Sequence, residues 1–133
     1  MKIFTDTNVL VSAFTARGLC ADLLEVILAD HQLITGEIVL NELERVLINK
    51  LNVPHNKVSK TLLFLRKQQI EPIPDKPSEV KVRDEDDRWV LESALSAKAD
   101  ILVTGDKDLL VLSKDITQIR IISPRGFWEI IKQ

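Results

Sequence analysis

From Ala99 to Leu110 the chain reads A-D-I-L-V-T-G-D-K-D-L-L. Ile101, Leu102 and Val103 form an unbroken apolar run that leads into Thr104, Gly105 and two acids, Asp106 and Asp108, before apolar residues resume at Leu109. An apolar run without polar alternation suits a strand covered on both faces, and the Gly/Asp cluster marks where it stops. Acids at the carboxyl end of a parallel strand lie where open α/β sheets bind ligands.

The rest of the chain supplies partners for such a strand. Lys2 to Thr5 is β-prone, and Asp6-Thr7-Asn8 follows it, with Asp6 or Asn8 placed to cap a helix. Arg17-Gly18 breaks that helix. Apolar residues at 19, 23, 26 and 27 predict an amphipathic helix from Leu19 to about Ala29. Gln32 to Thr35 reads as a second strand, and Gly36 opens a helix with Val39, Leu43, Val46 and Leu47 on its buried stripe. His55 to Gln69 is another helix. Ile70 to Ile73 predicts a third strand, placed at a sheet edge by Pro72, Pro74 and Pro77. A helix carrying Val90, Leu91, Ala94 and Leu95 precedes Ile101. A short helix over Lys107 to Ser113, a last strand over Ile119 to Ile122 and a closing helix begun by Pro124 follow it. Strands alternating with helices predict a mainly parallel sheet covered on both sides, an α/β class, without specifying strand order.

With 133 residues, 45% of them hydrophobic and 29% charged, residues 1–133 are expected to form one domain with a substantial core. A net charge of −2 gives no whole-protein attraction for polyanions, so such a partner needs a local basic patch or a bound metal. Residues 41 to 70 carry six Lys/Arg against two Glu, and Lys50, Lys57, Lys60, Arg66 and Lys67 are candidate phosphate contacts; an ordinary solvated face explains them equally well. The single cysteine, Cys20, excludes an internal disulfide, and His31 and His55 are too far apart to suggest a zinc cluster. No apolar run approaches the roughly 20 residues that span a bilayer, and no signal peptide precedes the first strand, so no membrane partner and a cytoplasmic location are expected.

Four acids occupy positions awkward for simple solvation. Asp6 follows the first strand, and Asp106 follows the strand quoted above. Glu42 lies roughly 40° from Val46 on a helical wheel, at the border of the buried stripe. Asp87 shares a face with Val90, Leu91 and Ala94. Each also has a plain structural role open to it: turn or cap for Asp6 and Asp106, rim acid for Glu42, and helix-dipole complement for Asp84 to Asp87, above all Glu85 and Asp86. Half-buried carboxylates repel one another and need a compensating cation or proton. Hard oxygen ligands without His or Cys select Mg²⁺ or Mn²⁺, one or two ions, over zinc. Such a cluster suits hydrolysis of phosphate esters by metal-activated water.

Other chemistries find less support. There is no phosphate-binding glycine loop or dinucleotide fingerprint, no histidine pair for acid–base cleavage, and no base beside Ser12, Ser93 or Cys20. Asp106 is a poor start to a calcium loop, because Leu110 and Val111 replace the oxygen ligand and the glycine that follows it.

The segments D-T-N-V-L-V-S-A (6–13), L-N-E-L (40–43), R-D-E-D-D-R-W-V-L-E-S-A (83–94) and A-D-I-L-V-T-G-D-K-D-L-L, with the ending S-P-R-G-F-W-E-I-I, occur in an order that resembles the PIN-domain nucleases. The likeness is strongest to small VapC-type toxin components of toxin–antitoxin pairs. It implies a three-layer α/β/α sandwich around a mainly parallel sheet. Catalytic and metal-binding roles would fall to Asp6, Glu42, Asp87 and Asp106, supported by Asn8, Asp84, Thr104 and Asp108. Asp108 is read either as a further acid beside the cluster or as the cap of the short helix. The resemblance also implies Mg²⁺- or Mn²⁺-dependent cleavage of single-stranded RNA, leaving 5′-phosphate and 3′-hydroxyl ends, an antitoxin protein as partner, and homodimers, common among relatives. Glu85 stands where relatives often have proline. A non-catalytic metal- or protein-binding regulatory domain that retains the acidic pocket is the alternative, and a phosphotransfer receiver is a remote third reading.

Overall fold

Strand β1 (Lys2–Thr5) lies at the centre of a five-stranded sheet formed with β2 (Gln32–Gly36), β3 (Gln69–Glu71), β4 (Ile101–Val103) and β5 (Arg120–Ile122) in the computed structural model. The structure describes residues 1–132; Gln133, the end of the expected domain, lies outside the described residues. All four pairings are parallel and the order is β3-β2-β1-β4-β5, with Ile3 opposite both Leu33 and Ile101 and Thr5 opposite Val103. Ile3, Phe4 and Thr5 are buried, as are all three residues of β4, which explains why these strands lack polar alternation. β3, at the edge, is only half-buried throughout.

Among the described residues, seven α-helices cover the sheet: α1 (Thr7–Thr15), α2 (Leu19–Asp30), α3 (Glu37–Arg45), α4 (His55–Arg66), α5 (Glu85–Ser96), α6 (Lys107–Leu110) and α7 (Pro124–Ile131). The chain runs from β1 through β2 to β3, then reverses to place β4 on the other side of β1. Because parallel crossovers are right-handed, this reversal sends α5 across the face opposite α1 to α4 and completes a three-layer α/β/α sandwich. The contacts agree: α2 packs on α1, β2 and α7, whereas α5 packs on β2 and β3. The reversal makes the gap between the carboxyl ends of β1 and β4 the topological switch point, where open α/β sheets form their ligand crevice.

Several boundaries differ from the sequence expectation. The third strand is Gln69–Glu71 instead of Ile70–Ile73, because Pro72 has no N–H to extend the ladder. α4 stops at Arg66, since the following residues turn into that strand. The helix expected over Lys107 to Ser113 divides into α6 and a 3-10 turn, Val111–Lys114. Beyond Arg45, α3 widens into a π-helical turn, Val46–Lys50, which no periodic pattern announces. The segment between β3 and α5 is tied down at Ser78, whose N–H donates to Arg88 O at 3.1 Å and whose carbonyl accepts from Arg88 Nε at 2.7 Å. Among the described residues no helix is long and apolar enough to cross a membrane.

Candidate metal centre

Each acid at the switch point is held by the backbone around it. Asp6 leaves β1 and caps α1: its Oδ1 accepts the N–H of Thr7 at 2.7 Å. Its Oδ2 accepts the hydroxyl of Thr104 at 2.7 Å. Thr104 follows β4, and its hydroxyl also accepts the N–H of Asp106 at 3.0 Å. Asn8 closes the turn from the other side, its Oδ1 accepting the N–H of Gly105 at 3.1 Å. Asp106 in turn caps α6 through the N–H of Asp108 at 2.9 Å. The cap of the short helix is therefore Asp106, and Asp108 sits inside its first turn, correcting the reading of Asp108 as the cap. Gly105 keeps a negative φ, so its place in the turn does not depend on glycine's freedom.

Asp87 enters from the opposite face. Asp84 caps α5 by accepting the N–H of Asp86 at 3.0 Å, and Asp87, one turn in, points inward and is only 6% exposed. Its Oδ2 is buried and has no hydrogen-bond partner. Oxygens of Asp87, Asp106 and Asp108 lie within 4.8 Å of one another. Glu42 reaches the same place from α3. Asp6, Glu42, Asp84, Asp87 and Asp106, with Asn8, line one cavity of about 310 Å³.

The electrostatics follow from crowding. Burial pushes the Asp87 carboxyl up to about 8, aided by the closely placed Asp106 carboxyl and by the charges of Asp6 and Asp84. Burial also raises Asp6, with Thr104 and the Thr7 N–H opposing the shift and Asp106 adding to it. Glu42 is raised first by burial and then by Asp6 and Asp86, against the pull of Arg45 and Thr7. Three acids held above their ordinary range in one cavity are in want of positive charge. The orphaned Asp87 oxygen and the all-oxygen donor set fit a hard divalent cation of the Mg²⁺ or Mn²⁺ kind.

The expected basic residues divide. Lys50 stands next to the acids, sharing a recess with Glu42, Arg45, Asn49 and Asp86. Lys57 and Lys60 line a separate cleft. Arg66 is engaged with Glu37 at 3.0 Å, and Lys67 ends α4 and lines neither space. Asp108 lies outside the cavity lining and faces Arg83 at 3.8 Å. Three neighbours were missed as site residues. Arg45 was legible, being three residues from Glu42 on one helix. Asp86 had been assigned to the helix dipole, and Thr7, buried beside Asp6, had no distinguishing signal.

A parallel sheet that gathers carboxylates at its switch point defines an α/β protein with an acidic, cation-seeking centre. The chain belongs to the PIN domain family, whose model matches residues 2–108. Its fold is similar to that of VapBC2 from Rickettsia felis bound to a promoter DNA fragment, with a TM-score of 0.68 and 20% identity over 92% of this chain and 98% of that one. It is also similar to FitAB bound to the IR36 DNA fragment, with a TM-score of 0.67 and 18% identity over 92% and 94% of the two chains. A third likeness is to Mycobacterium tuberculosis VapC20, described as a Sarcin-Ricin loop cleaving toxin, with a TM-score of 0.60 and 15% identity over 89% and 98%. A comparison with curated proteins finds no match.

Proposed function

We propose that this chain is a divalent-metal-dependent endoribonuclease, the toxin of a toxin–antitoxin pair. The observation that carries the reading is the convergence of Asp6, Glu42, Asp87 and Asp106 on one cavity with a buried Asp87 oxygen left unpartnered. Membership of the PIN family supports nuclease chemistry, and the fold likeness to a toxin described as cleaving the Sarcin-Ricin loop supports RNA as substrate. An antitoxin partner is supported by the likeness to VapBC2 and FitAB.

Asp6, Glu42, Asp87 and Asp106 would hold Mg²⁺ or Mn²⁺, with Asp108 close enough to Asp87 and Asp106 to contribute. When bound, the cation supplies an acidified water and neutralises charge on the phosphate and leaving oxygen. The chain's own groups do the positioning. Thr104 and the Thr7 N–H fix both oxygens of Asp6, and the Asp108 N–H fixes one oxygen of Asp106, so these carboxylates need little reorganisation. Asn8 holds the Gly105 turn that joins them. Arg45 and Lys50, beside Glu42, offer positive charge to phosphates entering the acidic cavity.

The end groups of the products test this chemistry. Attack by water leaves 5′-phosphate and 3′-hydroxyl ends on labelled single-stranded RNA, and cleavage stops in chelator. Cyclic 2′,3′-phosphate ends, or cleavage that survives chelation, would refute it.

A further inference from the structure

A second cleft lies further along the helix that walls the acidic cavity. Asn8, Val11 and Ser12 form the cavity's wall on α1, and one turn further along this helix Phe14 and Thr15 enter the second cleft, of about 510 Å³. The facing wall continues in step, from Val46 in the first cavity to Leu47 and Leu51 in the second. The second cleft combines an apolar surface, Phe14, Leu51 and Pro54, with two lysines, Lys57 and Lys60, and no carboxylate lines it. Both lysines are exposed, and among the described residues neither is in an ion pair. Leu51 is 47% exposed at the end of the π-helical turn.

We propose that this cleft binds one nucleotide of a single-stranded polynucleotide whose scissile phosphate sits at the acidic cavity, with the base against Phe14, Leu51 and Pro54 and the phosphate on Lys57 and Lys60. The inference rests on the nuclease reading above. An apolar surface beside paired cations is the combination that a stacked base and its phosphate require. Thr15, Asn52 and Thr61 add polar groups that can meet a base edge. The span also fits: Asn8 to Thr15 covers about 10 Å of helix, or about three stacked nucleotides at roughly 3.4 Å each. The protein's net charge of −2 makes a local cationic pair necessary for holding the strand.

The test reads binding without cleavage. A fluorescein-labelled, ten-nucleotide single-stranded RNA is titrated in chelator at low ionic strength against the wild type, a Lys57→Gln/Lys60→Gln double variant and Leu51→Ser, with folding checked by circular dichroism. The double variant should bind about tenfold or more weakly, and its salt dependence should fall by about 0.7 log units per log unit of salt, for one phosphate contact. An abasic nucleotide stepped along the RNA should weaken wild-type binding at one position, and Leu51→Ser should remove that dependence. Unchanged affinity in the double variant, no binding by the wild type, or an abasic penalty that survives Leu51→Ser would overturn the proposal and leave an acidic peptide as the better occupant. Failure of the nuclease reading shows separately, as absence of RNA cleavage by the wild type in Mn²⁺.

Discussion

The hydroxyl of Thr104 donates to Oδ2 of Asp6 at 2.7 Å, joining the ends of β1 and β4 across 98 residues of sequence. Thr104 Oγ1 in turn accepts the N–H of Asp106. One threonine thus orients two acids on either side of the switch point, and Asp6, Thr104 and the strand ends beneath them are all buried.

Thr104→Val keeps the shape of the side chain while stranding a carboxylate oxygen and an N–H. A buried polar group left without a partner costs about 1–3 kcal/mol, so the valine variant should unfold at clearly lower urea concentration at pH 7, and Thr104→Ser should recover most of the loss. Equal stability of the valine and serine variants would show that the hydroxyl does not hold the centre together.

The Asp87 carboxyl, raised from 3.8 to about 8, sets the sign of a pH effect. An acid with a raised folded pKa keeps its proton in the folded state after the unfolded chain has lost it, so stability falls as pH rises through this window. Metal-free protein should therefore lose stability between about pH 4 and pH 8, and Asp87→Asn should be flatter and more stable than wild type at pH 8. A variant with the wild-type slope in chelator would contradict the shift.

Cation binding should offset that loss. A ligand that binds only the folded state at a hundred times its Kd stabilises by about 2.7 kcal/mol. Mn²⁺ at pH 8 should raise the melting temperature of the wild type progressively with concentration, and Asp87→Asn and Asp106→Asn should blunt the response. Equal Mn²⁺ shifts in wild type and both variants would move the cation elsewhere.

Gly36 caps α3, the helix that carries Glu42, and packs against α5. A Cβ there would collide with Ser93 Oγ and come within 3.3 Å of the Phe4 ring. Overpacking of this kind costs about 1–3 kcal/mol, so Gly36→Ala should be destabilised and Gly36→Ala/Ser93→Ala should regain part of the loss. Additive effects of the two substitutions in chemical denaturation would rule out the contact.

The sheet was legible because its central strands are buried on both faces and therefore write continuous apolar runs: Ile3 and Phe4 in β1, Ile101 to Val103 in β4. Asp6 and Asp106 could be picked out because each stands directly after such a run, and Asp87 and Glu42 because helical spacing sets them beside apolar residues. Their convergence was not legible, since it depends on the β1–β4 adjacency, and strand order leaves no periodic trace. The same holds for contacts across layers. Gly36 against Ser93 and Thr104 against Asp6 join segments far apart in the chain, and neither partner is unusual in its own neighbourhood. Asp108 was open to a reading as cap because Asp106 and Asp108 are equally good capping residues; with the helix beginning at Lys107, as expected, that role falls to Asp106. The π-helical turn escaped because its extra residue interrupts the 3.6 repeat by which helices are recognised.

The central claim is that Asp6 belongs to a cation-holding centre that cuts RNA. It is tested most directly by incubating labelled single-stranded RNA with purified wild type and with Asp6→Asn, each with Mn²⁺ and with chelator. The account predicts fragments from the wild type in Mn²⁺ alone, with a loss of at least a hundredfold in rate, on the order of that seen when a transition-state contact is removed, in Asp6→Asn. Cleavage by Asp6→Asn at the wild-type rate would contradict it.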